Sequence, residues 1–211
     1  MPGRFITIEG GEGAGKSTHI ELIVQWLNAQ GIDHLRTREP GGTPLAEEVR
    51  KLLLERHDEP LQPMTELLLI FAARAQHLQT LIEPALSRGQ WVLCERFTDS
   101  TYVYQGCGRG LPQENVATLE ALVQGSRRPD YTFLLDVPVE VGLRRAAKRG
   151  QLDRFESEPA VFFHKIRNAY LERARREPGR FLVIDANRAA REIARDIETT
   201  LARIAGEGRN V

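Results

Sequence analysis

The sequence predicts an α/β fold with a parallel sheet covered by helices on both faces. Short β-branched or apolar runs alternate with longer helical patterns along the chain, and this alternation is typical of parallel βαβ units. Several of the runs are almost entirely apolar, as strands with helices on both faces are. A length of 211 residues, 41% of them hydrophobic, suits one compact domain and excludes a disordered chain.

Five strands are expected, because five runs are short, apolar and separated by helical patterns. They cover residues 4–9, 34–38, 90–95, 131–136 and 180–185. Helices are expected at residues 15–30, 44–57, 65–88, 113–125, 138–149, 159–176 and 189–205. The glycine-bearing segments 106–110 and 150–159 are expected to be mobile loops. No Pro-, Ser- or Gly-rich linker divides the chain, so the sequence predicts a single domain over residues 1–211.

The overall charge argues against binding of polyanions by the whole surface. The 29 basic residues equal the 29 acidic ones and the isoelectric point is about 7.0, so no net field directs the chain to nucleic acid or an acidic membrane. No run of about 18 apolar residues occurs and no leader-like segment precedes the first strand, which predicts a cytoplasmic protein. Cys94 and Cys107 lack CxxC spacing and the histidines lack metal-binding spacing, so neither set predicts a metal site.

The clearest functional signal is a complete GxxxxGKS/T motif between the first strand and the first helix. Its glycines allow backbone N–H groups to curl around a polyphosphate at a helix N-terminus. Lys16 reaches the β- and γ-phosphates in such loops, and the hydroxyl of Ser17 is a ligand for Mg²⁺. The residues expected to bind the nucleotide are Gly10, Gly11, Glu12, Gly13, Ala14, Gly15, Lys16, Ser17 and Thr18.

A phosphate-binding loop alone leaves a small-molecule kinase, a switch GTPase and a motor ATPase as alternatives. A switch GTPase needs a DxxG turn and an NKxD motif, and the sequence offers neither. A motor usually has a longer chain and a carboxylate pair at a strand end. Here the strand that ends at Glu95 is followed by Arg96, which favours a second anionic substrate near the metal.

Five blocks of residues, taken in order, resemble thymidylate kinases, the branch of nucleoside monophosphate kinases that phosphorylates dTMP. The resemblance runs from Phe5 to about Ile204. The blocks lie at residues 10–18, 37–43, 71–74, 95–97 together with 100 and 104–106, and 149–154. The resemblance implies a P-loop kinase fold, ATP and Mg²⁺ as cofactors, dTMP as acceptor and a homodimer.

Two blocks concern the acceptor nucleotide. Arg38 and Glu39 stand at a strand's carboxyl end, where doubly wound sheets bind ligands, and the resemblance implies that Arg38 holds the monophosphate. It also implies that Phe71 stacks on thymine and that Arg74 bonds its O4. The spacing between the aromatic residue and the arginine can be four in the family, which makes Ile70 the alternative to Phe71.

The third strand and the segment after it complete the expected substrate site. The resemblance implies that Arg96 bridges the donor and acceptor phosphates. Glu95 departs from the family's Asp, and its longer side chain is expected to reach a water on the metal that Ser17 binds. If a helix begins at Asp99, Ser100 and Tyr104 project to the same side. The ring of Tyr104 would then exclude a 2′-hydroxyl. The substrate-binding residues expected are Arg38, Glu39, Phe71, Arg74, Arg96, Ser100, Thr101, Tyr104 and Gln105.

Positive charge for the transferring phosphate is expected from a lid at about residues 149–158. The chain has no arginine inside the phosphate-binding loop but carries Arg149 and Arg154, the lid-arginine pattern of bacterial family members. Glu12 is expected to contact the sugar 3′-hydroxyl or an arginine. The catalytic residues expected are therefore Lys16, Arg96, Arg149, Arg154 and Glu12.

The expected reaction is ATP plus dTMP giving ADP plus dTDP, in a protein that binds neither nucleic acid nor a membrane. A kinase for another nucleoside monophosphate is the first alternative. A slow P-loop ATPase with a regulatory role is the second, which the balanced charge disfavours.

Overall fold

The computed structural model describes residues 3–148 and 154–207 of the chain. Its strands form one five-stranded parallel sheet in the order β2-β3-β1-β4-β5. The strands are β1 Phe5–Glu9, β2 His34–Arg38, β3 Trp91–Glu95, β4 Tyr131–Asp136 and β5 Phe181–Asp185. The predicted fold class is thereby confirmed, with each strand within one residue of its expected position.

The central strand β1 is buried at all five positions, because helices cover both faces of the sheet. Alternate residues serve opposite faces. Ile6 and Ile8 pack in a cluster with Ile20 of the first helix, whereas Phe5 packs on the other face with Leu78. Burial on both faces explains why the strand is apolar almost throughout. Its one charged residue, Glu9, stands last, at the carboxyl end of the strand.

The helices follow the strands in the order expected for βαβ units, and α1 and α9 pack on the same face of the sheet. They are α1 Lys16–Ala29, α2 Pro44–Leu54, α3 Pro63–His77, α4 Glu83–Ser87, α5 Thr98–Thr101, α6 Gln113–Gln124, α7 Val139–Ala147, α8 Ala160–Arg176 and α9 Ala190–Glu207. No helix among the described residues is long and apolar enough to cross a membrane.

The single helix expected at residues 65–88 is divided by a π-helical segment. This segment, Leu78–Ile82, separates α3 from α4, and the N–H of Glu83 bonds to the carbonyl of Leu78, five residues back. Pro84 follows at once. Proline cannot donate to the preceding turn and its ring crowds the carbonyl four residues back, so a widened turn next to it accommodates the ring.

The prediction of a mobile loop at residues 106–110 is largely wrong, because most of this segment is helical. A π-helical segment, Tyr102–Gly108, continues α5, and Gly106 within it is buried. A Cβ at Gly106 would lie 2.4 Å from Nε2 of Gln113, and one at Gly108 would lie 2.7 Å from the Phe162 ring. These glycines permit close packing, a role that the sequence pattern does not distinguish from flexibility.

Candidate active site

A cavity of about 690 Å³ opens at the carboxyl ends of β1, β2 and β3. The register of the sheet brings these ends together, since Glu95 pairs with both Ile8 and Arg38. Its walls come from the P-loop (residues 10–17), the start of α1, the end of β2, α3, and α5 together with the π-helical segment that continues it. We call residues 98–108 the α5 segment. The cavity therefore lies where parallel α/β sheets bind their ligands.

The P-loop is shaped by glycines in conformations that other residues rarely adopt. Gly13 and Gly15 have φ angles of 67° and 86°, and a Cβ at Gly13 would lie 1.9 Å from the carbonyl oxygen of Gly142. Lys16 Nζ donates to the carbonyls of Gly10 and Gly11 at 3.1 and 3.0 Å. Burial, and then the nearby positive charge of Arg96, lower the pKa of Lys16 to about 8. An incoming polyphosphate would compensate both effects.

Arg96 adopts a left-handed backbone conformation, φ 64°, directly after β3. A non-glycine residue in this region is strained and is often part of a functional site. Its side chain lines the cavity, where Nη2 donates to Glu12 at 2.7 Å and Nη1 to Ser100 at 3.2 Å. Burial alone would lower the pKa of Arg96, but the neighbouring Tyr104 and Glu12 raise it well above its ordinary value.

A buried carboxylate bonds the residues next to Arg96. Glu9, at the end of β1, is fully buried and accepts hydrogen bonds from the Phe97 N–H at 2.7 Å, Ser100 Oγ at 2.6 Å and the Tyr170 hydroxyl at 2.8 Å. Burial, and then the negative charge of Asp99, raise the pKa of Glu9. Sequence reasoning missed Glu9 and Tyr170, because Tyr170 lies in α8, 161 residues away, and the sequence carries no signal for the contact.

Two guanidinium groups stand on the side of the cavity formed by β2 and α2. Arg38 donates to Glu47 at 2.9 Å, and Arg50 donates to the carbonyl of Pro40 at 2.9 Å. Burial, and then the like charge of Arg38, lower the pKa of Arg50. An anion between them would relieve this repulsion. Sequence analysis missed Arg50, which lies on an ordinary-looking helix.

Arg74 is a buried arginine with part of its donor capacity unused. Its side chain is 1% exposed, with Nε donating to Glu39 at 2.7 Å and Nη2 to Thr101 at 2.9 Å. The guanidinium carbon lies 4.7 Å from the ring centre of Phe71 and 4.9 Å from that of Phe97. Nη1 is buried without a hydrogen-bond partner, and Arg74 lines the cavity. Such an unpaired donor is costly unless a ligand satisfies it.

The structure corrects the expected position of Phe71. This ring packs with Leu67 and Val116 and does not line the cavity, whereas Ile70 does. Residues four apart share a helix face, so the face that presents Arg74 also presents Ile70. Phe71 supports the arginine from its side.

Arg154 also differs from its expected position. It does not line the cavity, and instead it donates through Nη2 to Glu66 at 2.6 Å and through Nε to the carbonyl of Leu53 at 2.9 Å. The same Glu66 accepts from Gln105 at 2.8 Å and from Arg109 at 3.3 Å. Arg149, the other predicted lid arginine, lies outside the described residues.

The family model described as thymidylate kinase matches residues 8–197 of the chain. The chain belongs to the thymidylate kinase family. The chain is 55% identical over 204 residues to the thymidylate kinase of Pseudomonas savastanoi pv. phaseolicola, covering 97% of each chain. It is 59% identical over 197 residues to the thymidylate kinase of Pseudomonas putida strain W619, covering 93% of this chain and 95% of that one. The crystal structure of the Ehrlichia chaffeensis thymidylate kinase matches with a TM-score of 0.77 at 31% identity, covering 95% of this chain and 99% of that one.

In this thymidylate kinase family member, the cavity brings together most of the residues selected from the sequence. From the P-loop they are Glu12, Gly13, Ala14, Gly15, Lys16, Ser17 and Thr18, and from elsewhere Arg38, Glu39, Arg74, Glu95, Arg96, Ser100, Thr101, Tyr104 and Gln105. Gly10 and Gly11 lie behind this wall, where their carbonyls accept from Lys16. The cavity also holds His19, Arg145 and Arg188 near the P-loop, which sequence reasoning missed.

Proposed function

We propose that this protein transfers the γ-phosphate of ATP to dTMP, giving ADP and dTDP for dTTP and DNA synthesis. The observation that carries the proposal is that Arg74, whose buried Nη1 donor is unpaired, lines the same cavity as Lys16. One cavity thus offers both a polyphosphate site and a buried donor for a base carbonyl. Membership of the thymidylate kinase family supports the same pair of substrates.

The acceptor nucleotide would lie between β2, α3 and the α5 segment. Arg38 and Arg50 supply positive charge for its monophosphate. Burial, and then the like charge of Arg38, lower the pKa of Arg50, and a bound anion would oppose this effect. Arg74 would donate to O4 of thymine. Tyr104, whose hydroxyl donates to Glu12 at 2.8 Å, would lie against the sugar.

Phosphoryl transfer would depend on positive charge placed around the reacting oxygens. Lys16 would contact the donor phosphates. Arg96, which donates to Glu12 and Ser100, would bind the phosphates of both nucleotides. Ser17 and Glu95 line the cavity on the Lys16 side and offer the oxygen ligands that Mg²⁺ prefers, so the residues present fit this metal. When bound, the metal would neutralise charge on the donor phosphates.

The proposed mechanism includes a lid that closes over the cavity. We infer a single kinase domain whose residues at about 149–158 close over the cavity, and Phe155 and Glu156 already line it. Arg154 would exchange its bond to Glu66 for a contact with the phosphates on closure. This exchange would couple lid closure to the base site, because Glu66 also bonds Gln105.

We further propose a homodimer that works in the cytoplasm, with small molecules as its other partners. Among the described residues, large exposed apolar side chains concentrate on α2, α3 and α6. Of these helices, α3 contacts both α2 and α6. Those on the three helices are Leu45, Leu52, Met64, Leu68 and Leu122, whereas Val161 and Val183 lie on α8 and β5. Such a concentration favours a protein interface. Cys94 and Cys107 are both free, as in a reducing compartment.

A coupled assay of ADP release across a panel of nucleoside monophosphates tests the proposed reaction. We expect rapid release with dTMP and slow release with dCMP, dAMP and dGMP. A different preferred acceptor would favour the alternative kinase. Release that is independent of any acceptor would favour a slow ATPase.

A further inference from the structure

A row of buried polar side chains continues from Arg74 away from the cavity. Oε2 of Glu39 accepts from Arg74, while Oε1 of Glu39 lies 2.9 Å from Nδ1 of His77. Nε2 of His77 lies 2.7 Å from Oγ1 of Thr37. His77 is fully buried, and neither it nor Thr37 lines the cavity. His77 therefore has no direct route to a substrate.

The contacts define what His77 does to Glu39. A carboxylate only accepts hydrogen bonds, so Nδ1 of His77 carries the proton that it shares with Glu39, and Thr37 contacts the other ring nitrogen. Each oxygen of Glu39 thus has its own donor. The backbone at Gly42 packs directly against His77 and Thr37. A Cβ at this position would lie 2.4 Å from Nε2 of His77 and 2.5 Å from Oγ1 of Thr37.

We propose that His77 is a positioning residue for recognition of the acceptor base. The inference rests on the proposed function of Arg74. The terminal torsion of a glutamate is broad, and a carboxylate freed from His77 would turn to meet the arginine with both oxygens, the arrangement that guanidinium groups favour. Because Nε and Nη2 form one edge of the guanidinium, that turn would draw Nη2 away from Thr101 and displace Nη1 from the position intended for the base. His77 holds Glu39 to a single bond with Arg74, which leaves Nη1 for thymine O4.

Two substitutions test the contacts of the two ring nitrogens of His77 separately. In His77→Asn the carboxamide can reach the position of Nδ1 and keep the bond to Glu39, but it loses Thr37. In His77→Gln the longer carboxamide reaches the position of Nε2, keeping Thr37 but losing Glu39. Both variants introduce a carboxamide. They differ in which hydrogen bond of His77 is lost, the bond to Thr37 or the bond to Glu39.

The measurement is kcat/KM for dTMP and for 5-methyl-2′-deoxycytidine monophosphate, which keeps the methyl group of dTMP and replaces O4 by an amino group. We expect His77→Gln to lower the ratio of the two values about tenfold, the effect of one misplaced hydrogen bond, and His77→Asn to keep it within about threefold. The KM for ATP should stay within about twofold in both, because the P-loop is untouched. Melting temperatures record the structural effect of each change.

An unchanged ratio in His77→Gln would overturn the proposal, as would an equal loss in both variants, which would indicate a structural role. If His77→Gln does not fold, Glu39→Gln takes its place, because its amide nitrogen only donates and replaces one of the two oxygens that accept from Arg74 and His77. A folded Glu39→Gln protein with the wild-type ratio would also overturn it. Failure of the proposed function has another signature: the wild-type protein itself would show no preference for dTMP.

Discussion

Arg96 and Glu12 are 84 residues apart in the chain, and Nη2 of the arginine donates to Oε1 of the glutamate at 2.7 Å. Tyr104 donates to the same oxygen at 2.8 Å. The acidic residue of the P-loop thus orients two side chains of the α5 side of the cavity. An acid in an anion-binding loop is otherwise unfavourable, and this contact gives it a structural reason.

Replacement of Lys16 by alanine tests the phosphate contacts. Phosphoryl transfer should fall by at least about a hundredfold, because an electrostatic contact to the transferring group is lost. The protein should remain folded, since burial, and then Arg96, lower the pKa of Lys16 to about 8 and make its charge unfavourable in the folded state. Steady-state kinetics and a melting curve measure both effects. Unchanged turnover would refute the assignment.

Base choice tests Arg74. The enzyme should prefer dTMP strongly over dCMP, because the unpaired Nη1 donor can bond a carbonyl at the 4-position but would meet an amino group in cytosine. The comparison is kcat/KM for the two acceptors at saturating ATP. Equal values would remove Arg74 from this role.

Arg154 should matter more for turnover than for acceptor binding. If it leaves Glu66 to reach the phosphates in the closed state, Arg154→Ala lowers kcat more than it weakens dTMP binding measured by calorimetry. Arg149 should behave in the same way. Arg109→Ala is the matched control, because Arg109 bonds the same Glu66 and also contacts Phe155. A larger loss of dTMP affinity than of kcat in Arg154→Ala would count against the lid role.

Selection against a ribose sugar should depend on the ring of Tyr104. This ring is 5% exposed, lines the cavity and packs edge-on against Phe155, Phe162 and Tyr170. A 2′-hydroxyl against it would be buried without a partner, which costs about 1–3 kcal/mol, or roughly ten- to a hundredfold in selectivity.

The test of Tyr104 compares kcat/KM for dTMP and ribothymidine monophosphate. Tyr104→Ala should narrow the difference, mostly by improving relative use of the ribonucleotide. Tyr104→Phe keeps the ring and loses the hydrogen bonds of the hydroxyl with Glu12 and Arg96, so its ratio should stay near that of the wild type. If the alanine variant keeps the wild-type ratio, selection lies elsewhere.

Asp99 should contribute stability that depends on pH. Burial alone would raise its pKa, but hydrogen bonds and charge from Arg180 and Arg173 lower it below its ordinary value. Because the folded-state pKa is the lower one, this stabilisation is present above about pH 4 and is lost as the pH falls through the folded value.

Asp99→Asn should therefore lower the free energy of unfolding by about 3 kcal/mol at pH 7, since it removes the buried carboxylate that Arg173 and Arg180 share. The difference from wild type should shrink below about pH 4. Glu177→Gln is the control, because Glu177 pairs with Arg180 but is 44% exposed, and its loss should cost less than about 1 kcal/mol. Urea unfolding at several pH values measures both, and equal stability of Asp99→Asn and wild type at pH 7 would contradict the prediction.

The sequence by itself determined the sheet, the P-loop and the side of the sheet that binds ligands. Strands buried on both faces are apolar at successive positions, and a phosphate loop needs glycines at set positions before a helix, so both leave a local pattern. The carboxyl ends of parallel strands share one edge, which was enough to bring Lys16, Arg38 and Arg96 into one cavity.

Tertiary structure alone decided which side chains face that cavity and what holds them. The choice of Ile70 over Phe71 depended on the rotation of α3 against its neighbours, and the sequence was compatible with both. The bond between Glu66 and Arg154 joins residues 88 positions apart, and that between Glu9 and Tyr170 joins residues 161 apart. A contact of this kind depends on how helices pack across the sheet, and packing is a property of volumes and distances that no short stretch of sequence contains.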